Sequence, residues 1–97
     1  MTGRSRDIQT LLEERLSQIQ AISAANSEHM RLNQIASGMM ILDQKDEIDG
    51  AEPDLRSPER DANAAALERC MTRIETLERG LAQLDRDIEA FRKRDDE

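Results

Sequence analysis

Apolar residues mark one face of the C-terminal half of the chain at every heptad position. From residue 67 to residue 91 the gaps between successive members alternate between three and four residues. This spacing repeats about every 3.5 residues, so on a slightly underwound helix all the members lie on one narrow stripe. The pattern predicts a helix that packs against another helix through a seam of Leu67, Cys70, Ile74, Leu77, Leu81, Leu84, Ile88 and Phe91.

The N-terminal half also carries apolar residues at helical spacing, but on two faces. The second set lies well round the helix from the first, as happens when a straight helix of about 3.6 residues per turn departs from a 3.5-residue repeat. We predict a first helix over about residues 5–45. Its first stripe contains Ile8, Leu11, Leu12, Leu16, Ile19 and Ile22, and its second contains Leu32, Ile35, Ala36, Met39 and Leu42.

Turn-forming residues separate the two halves. Gly50 is suited to a positive φ, and Pro53 cannot continue a helix. We therefore predict a connection over about residues 46–57. This is longer than the roughly two to eight residues usual between paired helices.

The second helix has a clear start signal. Ser57 is a candidate N-cap, and Pro58 takes the first-turn position that proline tolerates. The predicted helix covers about residues 58–94 and is followed by an acidic tail at 95–97.

Two helices of similar length joined by a turn predict an all-α fold. We expect one domain over residues 1–97, an antiparallel coiled-coil hairpin in which Ile19 lies near Leu84 and Leu12 near Phe91. Charged residues make up 36% of the chain and only 1% is aromatic, which disfavours a β-domain.

A hairpin this small would leave much apolar surface in contact with water, so we expect a homo-oligomer built as a dimeric helical bundle. Parallel self-pairing of residues 67–91 is an alternative, because its flanking charges attract, as between Arg73 and Glu78. Dimer and tetramer both fit the pattern.

The net charge of −7 is concentrated outside the predicted helices. We call residues 46–55 the acidic connection; they carry no basic residue, and the tail is acidic as well. Carboxylates gathered in a loop argue against imitation of DNA, and they suit a solvated turn or a docking loop for a basic partner. The acids of this connection are Asp46, Glu47, Asp49, Glu52 and Asp54.

Candidate catalytic chemistry is sparse. His29 and Cys70 occur once each, so we predict no enzyme activity, no metal and no cofactor. The acidic connection fails the calcium-loop pattern at two ligands. No aromatic residues interleave with the basic ones, which argues against nucleic-acid binding. Without an apolar signal core or an 18-residue apolar run, we expect a cytoplasmic protein that does not contact membranes.

Residues 39–42 form a run of four apolar residues, and on a helix these point in four directions. One seam covers only part of such a run, so the remainder forms an adaptable surface for a dimer partner or for the helix of another protein. Three further apolar residues, Met30, Ile35 and Met71, extend this surface beyond the run. We call the whole set the methionine surface: Met30, Ile35, Met39, Met40, Leu42 and Met71.

The sequence carries no family motif. The predicted hairpin plan resembles, in architecture alone, the small secreted Trp-x-Gly hairpin proteins, although this chain has no Trp. It is similar in the same sense to small helical secretion chaperones and to bacterial or phage anti-activators.

We therefore predict a non-enzymatic interaction module, an adaptor, chaperone or antagonist that binds an apolar helix of a partner protein through the methionine surface. Two alternatives stay open: a purely structural homodimeric coiled coil, and an acidic antagonist of a nucleic-acid-binding protein.

Overall fold

The computed structural model describes residues 7–50 and 57–96, with the backbone alone at residues 46, 49, 57, 95 and 96. Helix α1 spans Ile8–Asp49 and helix α2 spans Ser57–Asp96. The two helices pack against each other, and the described ranges contain no strand. The predicted all-α helical hairpin is confirmed.

Asp7 sets the start of α1. Its carboxylate accepts a hydrogen bond from the main-chain N–H of Thr10 at 2.8 Å, and its carbonyl accepts one from the N–H of Leu11 at 3.1 Å. An aspartate in this position satisfies an N–H that the first helical turn leaves without a partner. The helix therefore begins at Ile8, close to the predicted start.

Gly50 marks the end of α1, which continues four residues beyond the predicted end at residue 45. Residues 46–49 contain neither glycine nor proline. Gly50 has a φ of 78°, and its N–H donates to the carbonyl of Glu47 at 3.3 Å. A residue with positive φ directly after the last helical turn is a common helix termination, and glycine adopts it without steric cost.

Helix α2 also exceeds its predicted bounds slightly, because it includes Ser57 and the first two residues of the acidic tail. The connection between the helices is correspondingly shorter than 46–57. Its residues 51–56 lie outside the described part of the chain, as do residues 1–6 and Glu97.

The chain divides into two compact units. The first comprises Met1–Ala24 with Ile74–Glu97, and the second comprises Ala25–Arg73. Each unit contains a stretch of α1 packed against a stretch of α2.

In the first unit Leu11 and Leu84 are buried, and polar side chains join the helices. The Gln18 amide donates to the carbonyl of Leu77 at 2.9 Å. The guanidinium of Arg15 lies 2.7 Å from the carboxylate of Asp85. The later residue on α1, Gln18, pairs with the earlier residue on α2, Leu77, so the two stretches run antiparallel.

The first predicted stripe is only partly correct in this unit. Leu11 is buried, but Leu12 is 51% exposed and Leu16 is 57% exposed, so these two members of the stripe do not belong to the buried core. The face of α1 toward α2 contains Arg15 and Gln18 instead. One residue corresponds to a rotation of about 100° on a helix, which separates Leu12 from Leu11.

In the second unit the buried apolar residues are Ala25, Leu32 and Cys70. Asn63 is buried as well, and its amide donates to the Leu32 carbonyl at 3.1 Å. A helical carbonyl points toward the residue four positions later, so this bond places Asn63 level with Ala36. Seven residues later on α2, the Cys70 Sγ is bonded to the carbonyl of Ala25, seven residues earlier on α1, so these stretches are also antiparallel.

Candidate functional site

All eight residues of the predicted seam are buried or half-buried. Within the second unit the heptad spacing continues toward the start of α2 through Asn63, which is buried, and Arg60, which is half-buried. Asn63 lies four residues before Leu67, and Arg60 lies three residues before Asn63, so both continue the alternating spacing of the seam. Sequence reasoning missed them because it traced the heptad by apolar residues alone.

A cleft of about 310 Å³ opens between the two helices of the second unit. Helix α1 contributes Ala36, Met39, Met40 and Asp43 to its lining. Helix α2 contributes Arg60, Asn63, Ala64 and Leu67. Five of these eight side chains are apolar, and the volume is at the lower end of the range for protein binding pockets.

Charged and polar groups occupy one part of the cleft. The guanidinium of Arg60 forms an ion pair with the carboxylate of Asp43, and both residues are half-buried. The Asn63 amide is held by the Leu32 carbonyl. A charged pair beside an apolar lining limits the ligands that fit, because any group placed over it must offer polar partners.

Three methionines of the methionine surface lie on or near the cleft side of the second unit. Met39 and Met40 line the cleft, and Met40 is 61% exposed. Met40 comes directly after Met39, which faces the seam, and Ala64 comes directly after Asn63. Both Met40 and Ala64 line the cleft, so a residue that directly follows a seam position lies on the cleft side of its helix. Met71 follows Cys70 in the same way and is also exposed.

Met71 lines a separate, shallow depression of about 770 Å³ on α2. The six residues that line it belong to one helix, so it has no second wall within the described residues. They are Ala65, Leu67, Glu68, Arg69, Met71 and Thr72.

Ile35 and Leu42 are not brought together with the methionines. Each precedes a residue that faces α2, Ala36 or Asp43, whereas Met40 follows one, so Ile35 and Leu42 lie on the other side of α1 from Met40. Ile35 is half-buried and Leu42 is exposed. The predicted methionine surface is thus distributed over two sides of the second unit.

Met30 lies further round α1 and is strongly exposed. Next to it, the guanidinium of Arg31 makes two hydrogen bonds to the carboxylate of Glu28, at 2.6 and 3.0 Å. This hydrogen-bonded pairing lowers the pKa of Glu28 and raises that of Arg31. Both groups are exposed, so the pair contributes little to stability.

The single histidine and the single cysteine are both engaged within the second unit. The His29 ring lies 3.2 Å from the Asn33 amide. Cys70 is buried, and its Sγ donates to the Ala25 carbonyl at 3.2 Å. Across the described residues no group of three His, Cys, Asp or Glu side chains is arranged to hold a metal. Nor is any described helix stretch long and apolar enough to cross a membrane.

Of the five acids of the acidic connection, Glu47 alone has a described side chain. Glu52 and Asp54 lie outside the described residues, and only the backbone is described at Asp46 and Asp49. Glu47 is exposed near the end of α1.

Comparisons with protein-family models, with curated proteins and with solved structures found no match.

Proposed function

We propose that the chain is a non-enzymatic interaction module, and that the cleft of its second unit accepts apolar side chains from a helix of a partner protein. The observation that carries this proposal is the cleft itself, an opening of about 310 Å³ lined by Met39, Met40 and Leu67. Unbranched methionine side chains adapt their shape to different apolar ligands, so they suit a surface that receives a helix.

Charge near the cleft supports a cationic partner. Residues 46–55 carry five acidic side chains and no basic ones. They follow closely after Asp43 in sequence, and the excess of negative charge attracts lysine and arginine at a distance. The partner we propose is therefore an amphipathic helix with an apolar stripe and basic residues beside it.

Binding to a library of amphipathic helical peptides tests the proposal. Peptides enriched by the wild-type chain would be measured by calorimetry against Met40→Asp and Ile41→Asp. These neighbouring residues have almost equal exposure, 61% and 65%, but only Met40 lines the cleft. We expect a loss of affinity of about 10-fold or more for Met40→Asp alone. Equal loss in both variants, or no enriched peptide, would contradict the proposal.

The structural coiled-coil alternative has less support, because it needs the seam of α2 for pairing with a second copy. Cys70 and Leu84 of that seam are already buried within the single chain. The acidic-antagonist alternative shares the cationic partner with our proposal but does not require the cleft, so the Met40 variant also separates these two functions.

A further inference from the structure

The ion pair in the cleft of the second unit is still in contact with water. Asp43 of α1 and Arg60 of α2 both line the cleft, and the guanidinium of Arg60 is bonded to the carboxylate of Asp43. Their side chains are 27% and 42% exposed. A helix that covered the cleft would remove this water, so the two charged groups would then need polar partners from the helix itself.

Arg60 has hydrogen-bonding capacity beyond its bond to Asp43. A guanidinium carries five N–H donors, and the bond to Asp43 comes from one terminal nitrogen. Among the described residues no other acceptor takes a hydrogen bond from Arg60. An apolar side chain placed over Arg60 would leave donors without water and without an acceptor, and this would weaken binding. The partner therefore needs an acceptor at this point.

The charge around Arg60 decides which acceptor fits. Asp43 already lies against the guanidinium, and Glu47 is exposed one turn further along α1 on the same side. A partner carboxylate bonded to Arg60 would lie close to Asp43 and would be repelled by it. A partner lysine or arginine would suit Asp43 but would place a second cation beside Arg60. The ion pair therefore favours a neutral polar side chain.

A carboxamide matches the ion pair best among neutral side chains. Its oxygen accepts from a guanidinium, and its NH2 group donates to a carboxylate, whose oxygens each accept more than one bond. A hydroxyl does both through a single atom, whereas a carboxamide presents its acceptor and its donor at two adjacent atoms. The Arg60–Asp43 pair likewise presents its donor and its acceptor side by side.

We infer that the partner helix carries one glutamine or asparagine within its apolar stripe, and that this carboxamide binds the Arg60–Asp43 pair. The inference rests on the proposed function of the cleft and adds the feature that selects one amphipathic helix over another. A site built to form hydrogen bonds discriminates strongly against ligands that cannot form them, whereas an apolar lining discriminates weakly.

The register of the second unit limits where the carboxamide lies. Asn63 is level with Ala36, and Asp43 is seven residues further along α1, a distance of about 10.5 Å along the helix axis. The apolar part of the cleft and its ion pair are therefore about two helical turns apart. A partner helix that lies along the cleft reaches both with residues no more than about seven positions apart.

Four versions of one peptide test the inference. A helical peptide enriched by the wild-type chain would be made with glutamine, leucine, glutamate or lysine at the stripe position where the enriched peptides carry the carboxamide. We expect the glutamine peptide to bind about 10-fold or more tightly than each of the other three, because each of those leaves Arg60 or Asp43 poorly paired. Calorimetry measures the four dissociation constants.

Two matched double variants assign the preference to the ion pair. Asp43→Leu with Arg60→Met removes both charges, and replacing an ion pair by apolar side chains of similar size commonly preserves the fold. This variant should bind the leucine peptide at least as tightly as the glutamine peptide. Asp85→Leu with Arg15→Met makes the same change at a pair in the first unit, whose side chains are 50% and 41% exposed. The second variant should keep the preference of the wild type.

The outcomes separate this inference from the proposed function. Enriched peptides without a carboxamide in the apolar stripe would overturn the inference alone, provided that Met40→Asp still loses affinity and Ile41→Asp does not. A glutamine preference that survives Asp43→Leu with Arg60→Met would also overturn it. If that variant is not helical by circular dichroism, the four peptides on the wild type decide. No enriched peptide, or equal loss in the two residue 40 and 41 variants, would overturn the proposed function and the inference together.

Discussion

The side-chain amide of Asn63 donates a hydrogen bond across the helix pair to the main-chain carbonyl of Leu32. Both residues are buried. A polar side chain in an apolar seam is stable only where its partner is positioned for it, so this bond favours one alignment of the two helices over alignments shifted by a turn.

Loss of this bond should destabilise the second unit. Asn63→Ala and Asn33→Ala gain the same helix propensity, but Asn33 is exposed. We expect the free energy of unfolding of Asn63→Ala to lie about 1–2 kcal/mol below that of Asn33→Ala. Urea denaturation at equal protein concentration measures the difference, and equal values would show that the bond has no net effect.

Gly80 should respond to alanine differently from Gly38. A Cβ at Gly38 meets nothing within 4 Å, so Gly38→Ala should raise the free energy of unfolding by about 0.5–1 kcal/mol. A Cβ at Gly80 would lie 2.5 Å from the Gln18 amide nitrogen. Gln18 would have to move and give up its bond to Leu77, so Gly80→Ala should gain about 1 kcal/mol less.

A double-mutant cycle provides the control for Gly80. In a Gln18→Ala background the obstructing amide is absent, so Gly80→Ala should show the same gain as Gly38→Ala. If the two glycines respond alike in the wild-type background, the close approach to Gln18 carries no cost.

Protonation of Asp7 should weaken the start of α1 in acid. The hydrogen bond from the Thr10 main-chain N–H lowers the pKa of the Asp7 carboxyl in the folded chain. The stability that the ionised Asp7 carboxylate gives to α1 is therefore fully present above the ordinary aspartate pKa of about 3.9, and it is lost as the pH falls through the lowered pKa. An NMR titration of the carboxyl carbon should give a midpoint below that of an unfolded peptide.

Asp7→Asn is the matched variant, because an asparagine also caps a helix but does not titrate in this range. Its helicity, followed by circular dichroism, should depend less on pH below about pH 4 than that of the wild type. A wild-type midpoint at or above 3.9 would contradict the assignment of Asp7 as the cap.

Cys70 should be protected from thiol reagents in the folded chain. It is 7% exposed, and its Sγ is bonded to the Ala25 carbonyl. We expect its modification to be at least about 100-fold slower than in denaturant, because reaction requires local opening. Met71→Cys in a Cys70→Ser background places a thiol at the exposed neighbour and should react at close to the unhindered rate. An interchain disulfide through Cys70 under mild oxidation would instead favour parallel pairing of the seam.

Neutralising the acidic connection should slow association with a cationic helical peptide without changing its dissociation. We expect an association rate about 10-fold lower at low ionic strength, and a difference that disappears in high salt. Stopped-flow fluorescence measures both rates. The control neutralises five acids elsewhere: Glu13, Glu89, Asp95, Asp96 and Glu97. An equal effect in both variants would attribute the steering to total charge.

Much of the fold was accessible from the sequence because its signals are local. The alternating spacing from Leu67 to Phe91 identified one face of α2, and every residue on it is shielded from solvent. Gly50 and Pro58 act through the dihedral preferences of single residues, so the ends of the helices were predicted to within a few residues.

The candidate site was only partly accessible. Met39 and Met40 were identified because four consecutive apolar residues cannot all face one helix. Arg60 and Ala64, which line the cleft with these methionines, belong to the other helix. The residues next to Arg60 and Ala64 in the sequence do not distinguish them from ordinary surface residues. A search for heptad positions that also accepted polar residues would have found Arg60 and Asn63.

The sequence by itself determined that α2 presents one apolar face, because that face is continuous and the alternatives are polar. It did not determine which face of α1 meets it, because Leu11, Leu12, Leu16 and Ile19 offer two neighbouring faces of similar hydrophobicity. Tertiary structure decided that choice through long-range partners: Gln18 finds a carbonyl at Leu77, and Arg15 finds a carboxylate at Asp85. These bonds orient α1 so that Leu11 is buried while Leu12 and Leu16 are left exposed.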